Sequence, residues 1–88
     1  MKYSNSNKTV EANDIFESHE GSRFKVLSID KKNIYNSLIF YLETLKAICL
    51  ISKRRNININ DIVVFKEYER ITLIKKAKKE QIDMFVEV

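Results

Sequence analysis

With 88 residues, 44% of them hydrophobic and 32% charged, the chain has room for one domain and one core. Its one cysteine, Cys49, excludes an internal disulfide, and its one histidine, His19, cannot complete a four-ligand zinc site without carboxylates. The net charge of +4 lies entirely in residues 45–88, where ten Lys/Arg meet six Asp/Glu; this suggests nucleic acid, an anionic surface or an acidic partner, or simply solvated basic loops.

The N-terminal MKYSNSNKTV has no apolar stretch of the signal-peptide kind, and a free cysteine suits a reducing compartment, so a cytoplasmic location is expected. Residues 1–12 are polar and without periodicity, and are expected as a flexible tail before a single domain spanning 13–88. On either side of Gly21, DIFES and SRFKVLSID have the composition of strands. A short loop with glycine between them reads as a hairpin, in preference to a short helix from Asn13 that stops at Gly21. In the second of these strands Phe24, Val26 and Ser28 are expected on one face, and Lys25, Leu27 and Ile29 on the other.

From Leu38 to Ile51 every residue except Glu43, Thr44 and Lys46 is apolar, too short a run to span a bilayer. Asp30 suits an N-cap, and Ile34, Leu38, Tyr41, Leu42, Leu45, Ile48 and Cys49 follow the i, i+3/i+4, i+7 template, so a long helix from Lys31 to about Lys53 is expected. Lys53, Arg54 and Arg55 would then complement the C-terminal end of its dipole. Asn56 to Asp61 form a break whose Asn and Asp residues can turn the chain without glycine. Ile62–Phe65, Arg70–Ile74 and Ile82–Val88 read as three further strands; a helix over 61–81 is the rival, interrupted by Lys75 and Lys78. The fold expected is therefore α+β, a small antiparallel sheet with one long helix packed on one face, in the order ββαβββ.

Phe40, Thr44, Ala47 and Ile51 are spaced as a second stripe on such a helix, with Ile39 and Leu50 beside it. These six are the expected protein interface, unless other parts of the chain cover them. Lys53, Arg54, Arg55, Lys75, Lys76, Lys78 and Lys79 are the alternative phosphate contacts, with Phe65 or Tyr68 as a stacking ring. Evidence for catalysis is slight. Glu17, His19 and Glu20 sit beside a turn where polar residues are expected; Glu67 and Glu69 are flanked by Lys66 and Arg70; Cys49 falls on the buried stripe; and one glycine does not make a phosphate-cradling loop. The reading is a non-catalytic protein-interaction module, a homodimer or a small subunit of a larger assembly. A small basic nucleic-acid-binding protein is the alternative. No cofactor, metal, membrane or small-molecule substrate is expected.

Overall fold

The computed structural model describes residues 1–35 and 39–78 of the chain. Among these residues there is no helix. Five strands, β1 (Ile15–Ser18), β2 (Arg23–Tyr35), β3 (Ile39–Ile51), β4 (Ile62–Lys66) and β5 (Ile71–Lys75), form one sheet in the order β4-β3-β2-β1-β5. All neighbours are antiparallel: β1 to β4 follow each other across the sheet, and β5 returns to the free side of β1.

The α+β expectation is thus corrected to all-β. The residues read as one long helix are the end of β2 and the whole of β3, paired from Arg23 opposite Ile51 to Tyr35 opposite Ile39. Asp30, read as a helix cap, lies within β2 opposite Thr44. A run that is apolar at almost every position satisfies a period of 3.6 and a period of 2 equally well, so periodicity cannot choose between them. Packing chose the period of 2: Leu45, Ala47 and Cys49 are buried and Lys46 between them is exposed. The aromatic and β-branched residues Ile39, Phe40, Tyr41, Thr44, Ile48 and Ile51 suit a pleated surface.

Turn chemistry fixes the connections. Gly21 has φ +93°, and the β1–β2 turn is closed by the Ser22 carbonyl accepting from Ser18 N–H at 2.8 Å and the Ser18 carbonyl accepting from Gly21 N–H at 3.0 Å. The β3–β4 connection turns on Asn60 at φ +76°, and the Asp61 carboxylate accepts from the Asn58 N–H at 2.9 Å. Asparagine thus supplies the left-handed residue that glycine usually provides. A bulge at Leu27 shifts the β2–β3 register, so that Val26 faces Ala47 while Ser28 faces Lys46. The face assignments expected after Leu27 are therefore reversed, and Ile29, opposite Leu45, packs against the core.

The sheet curls tightly around its inner face. In a flat sheet β4 and β1 would be three strand spacings apart, about 14 Å. Yet the ring of Phe65 on β4 meets Phe16 on β1 edge-on at 5.1 Å and Phe24 on β2 at 4.9 Å, while Phe16 stacks on Phe24 at 5.6 Å. The three rings close the core, together with Val26, Leu45, Ala47, Cys49 and Ile71. Tyr3 and Val10 complete it, each below 5% exposed. The segment 1–12, expected as a tail, is thus anchored by Tyr3 and Val10 in the core on the inner face of the sheet.

Candidate functional site

The six interface residues expected from the sequence do not form a seam. They all lie on β3, where alternation sends neighbours to opposite faces. Ala47 is wholly buried in the core, Thr44 and Leu50 are half-buried, and Ile51 is exposed. Ile39 and Phe40 stand at the start of the strand, opposite Tyr35 and Ile34. A docking site on a helix stripe is therefore withdrawn.

Among the described residues, the fold exposes the outer face of the sheet and one of its two edges. Ile62, Ile48, Lys25, Ile15 and Lys75 are register partners across all five strands and form one row on the outer face. Val64, Lys46 and Ser28 begin a second row. At the β4 end the row is aliphatic and open, with Ile62 62% and Val64 49% exposed.

The two edges are finished differently. Along β5 the Ile71 carbonyl accepts from Ser4 N–H at 2.8 Å. The Asn5 side chain imitates a strand: its carbonyl accepts from Leu73 N–H at 2.9 Å and its amide donates to the Leu73 carbonyl at 3.2 Å. Along β4, Asp61 and Glu67 bond inward to β3, through Cys49 N–H at 2.9 Å and the Glu43 carbonyl at 3.1 Å. By the alternation of an antiparallel ladder, Ile62, Val64 and Lys66 turn their backbone groups outward. Glu69 satisfies Lys66, its carboxylate accepting from Lys66 N–H at 3.0 Å and its own N–H donating to the Lys66 carbonyl at 2.9 Å. Ile62 and Val64 keep open backbone groups among the described residues.

The basic residues separate into two groups. Lys53, Arg54 and Arg55 follow β3 beside the β1–β2 turn, where the Ser22 hydroxyl accepts from Lys53 N–H at 2.8 Å and Arg54 faces the Glu20 carboxylate at 3.4 Å. Lys75, Lys76 and Lys78 lie at the other end of β1, since Lys75 is the partner of Ile15. Lys79 lies outside the described residues. Of the stacking candidates, Phe65 is buried in the aromatic core and Tyr68 is 75% exposed in the β4–β5 turn.

A buried charge centre went unread in the sequence. Asp14, fully buried, accepts from Tyr3 O–H at 2.7 Å, Lys76 Nζ at 2.8 Å, Glu11 N–H at 2.9 Å and Ala77 N–H at 2.8 Å. Lys76 also donates to the Thr9 carbonyl at 2.9 Å and to Glu11 at 3.0 Å. Burial pushes the Asp14 carboxyl up, but the Lys76 ammonium and the three other donors outweigh it and hold the carboxyl below its ordinary value. Burial likewise works against the Lys76 ammonium, and the two carboxylates more than compensate and raise it. Burial, the hydrogen bond to Asp14 and nearby negative charge push the Tyr3 phenol well above its ordinary range. The centre ties the N-terminal segment, β1 and the chain after β5 together, and every group in it is satisfied from within the chain. No sequence pattern announces a pair 62 positions apart.

Among the described residues no three His, Cys, Asp or Glu side chains come together as a metal site. Glu17 pairs with Arg23 at 3.5 Å and Glu20 with Arg54, while His19 is exposed in the turn. Cys49 is buried, and burial followed by the Asp61 charge raises its thiol, which keeps it a protonated core side chain. Among the described residues no helix is long and apolar enough to cross a membrane. In comparison with known proteins, the chain matches no protein-family model, no curated protein and no solved structure.

Proposed function

We propose that the chain is a non-catalytic association module that joins a second copy of itself through the open edge of β4. The supporting observation is the contrast between the edges: β5 is finished by Ser4 and Asn5, whereas among the described residues Ile62 and Val64 keep open backbone groups and carry exposed aliphatic side chains. These two residues complement themselves. With a two-fold axis at Val63, Ile62 of one copy lies opposite Val64 of the other, and the pair exchanges both N–H···O bonds; symmetry repeats this, making four. The outer-face stripe of Ile48, Ile62 and Val64 then runs unbroken from one sheet into the next. Lys66, already satisfied by Glu69, marks where pairing stops.

So short a strand pair defines an interface at the small end of specific contacts, below about 1,200 Å². Self-association is therefore expected to be weak and concentration-dependent. Analytical ultracentrifugation over a concentration series tests it. Val64→Pro removes an outward N–H and leaves the inward ladder to β3 intact, and Ile62→Lys places a charge at the junction. The dimer should form in the parent and be absent from both variants, each still showing the circular dichroism of a folded sheet. A parent that stays monomeric to millimolar concentration, or a dimer that survives both substitutions, refutes the reading.

The nucleic-acid alternative has less support. Its two basic groups lie at opposite ends of β1, Arg54 is paired with Glu20, and Lys76 is engaged by Asp14.

A further inference from the structure

Where β1 and β5 end, Asn13, Ile15, Lys25, Lys75, Lys76, Ala77 and Lys78 surround a concavity of about 240 Å³. We infer that this concavity is a binding site for a compact multivalent phosphate, of the size and charge of inorganic pyrophosphate.

The register builds the site. Lys25 and Lys75 are both partners of Ile15, one on each side, so all three share the outer face. Their backbones are two strand spacings apart, about 10 Å. Two lysine side chains at that distance can both bring an ammonium to one anion lying above Ile15, and Lys78 closes the rim. Lys76 holds the chain in place: its ammonium reaches away to Asp14 at 2.8 Å, and the Ala77 N–H reaches the same carboxylate. That anchorage fixes Lys75 and Lys78 on either side of a rigid pair. Asn13, at φ +73° with its N–H donated to the Val26 carbonyl at 2.8 Å, also lines the concavity.

Charge and size choose the ligand. Among the described residues none of Lys25, Lys75 and Lys78 forms an ion pair, and all three line the concavity. The volume lies below the roughly 300–1,000 Å³ of pockets that enclose drug-sized molecules, which suits an anionic group rather than a whole cofactor. Apart from Asn13 and the lysines the lining is Ile15 and Ala77, and among the described residues it holds no ring on which a base would stack. The second basic group, Lys53 to Arg55, lies at the other end of β1 and does not line the concavity.

Titration of the full chain with inorganic pyrophosphate, followed by amide chemical shifts and calorimetry, tests the site. Pyrophosphate should shift Asn13, Ile15, Lys25 and Lys75 to Lys78, and bind more tightly than inorganic phosphate. Lys25→Gln and Lys75→Gln should each weaken it about tenfold, the scale of one charge-assisted hydrogen bond. Lys53→Gln should leave it unchanged. Lys75 and Lys78 are exposed, so Lys75→Gln and Lys78→Gln report on the site even if Lys25→Gln perturbs the sheet. The inference falls if 10 mM pyrophosphate moves no resonance at the site, or if Lys53→Gln weakens binding as much as Lys75→Gln. It also falls if affinity for single-stranded oligonucleotides exceeds that for pyrophosphate and grows with their length, which would mean a nucleic-acid surface.

Discussion

Replacing Asp14 by Asn removes one charge and turns one acceptor oxygen into a donor, at a residue that is 0% exposed. Four donors converge on the carboxylate: Tyr3 O–H, Lys76 Nζ and Glu11 N–H on one oxygen, and Ala77 N–H on the other. In the better of its two orientations the asparagine amide keeps its oxygen toward the first three and turns its NH₂ against Ala77 N–H. That loses one hydrogen bond to a charged acceptor, worth about 1.5–3 kcal/mol, and leaves a buried N–H unpaired. It also takes from Lys76 its buried counter-charge. Breaking a buried ion pair typically costs about 3–5 kcal/mol, but Lys76 keeps Glu11 and the Thr9 carbonyl and its side chain is 24% exposed, which places the expected loss near the lower end, about 3 kcal/mol. A domain of this length has about 4–13 kcal/mol in total, so urea denaturation followed by circular dichroism should show a large fall. Thermal melting should drop by about 12–24 °C. A variant within about 1 kcal/mol of the parent would show that the centre contributes little, because single surface substitutions already reach half that size. The double variant Asp14→Asn/Lys76→Met should cost less than the sum of the two single changes, because each single change orphans the other group; strict additivity would refute the pairing. The pH profile gives a second check. The Asp14 carboxyl is lowered in the folded state, so its contribution is complete above about pH 5 and is lost as pH falls through the folded value. Lys76 and Tyr3 are raised, so theirs is complete below about pH 9 and is lost as pH rises. The parent should show a plateau between these limits, and Asp14→Asn should flatten its acid limb.

Two further changes probe the fold. Phe65→Ala removes the ring that meets both Phe16 and Phe24, and should destabilise by about 3–5 kcal/mol in the same denaturation assay; a cost below about 1.5 kcal/mol would mean the curled sheet closes without it. Gly21→Ala should cost about 1–2 kcal/mol from the left-handed backbone alone, since a Cβ there would meet only Lys53 Cγ at 3.8 Å; a neutral result would mean that the turn relaxes out of φ +93°.

The sequence by itself determined the short elements. Gly21 and the β-branched or aromatic residues beside it specify the first hairpin, because only a residue free to take positive φ closes so short a turn between strands. Asn58, Asn60 and Asp61 mark the next reversal for a related reason, as Asn60 takes positive φ and the Asp61 carboxylate accepts from the Asn58 N–H. Ile62–Phe65 and Arg70–Ile74 are legible as strands, in agreement with β4 and β5, while the strand expected at Ile82–Val88 lies outside the described residues. Tertiary structure alone decided the rest. Residues 39–51 are compatible with helix or strand, and the choice fell to strand because β2 and β4 offer partners on both sides and the inner face needs Leu45, Ala47 and Cys49 together. The bulge at Leu27 moves Ile29 to the core side, which strict alternation from Phe24 cannot foresee. The segment before Asn13 reads as a tail because its neighbours are polar; Tyr3 and Val10 become core residues only once the curled sheet gives them a surface. The Asp14–Lys76 pair, the finished β5 edge and the open β4 edge join residues far apart in the chain, and local preferences carry no information about such contacts.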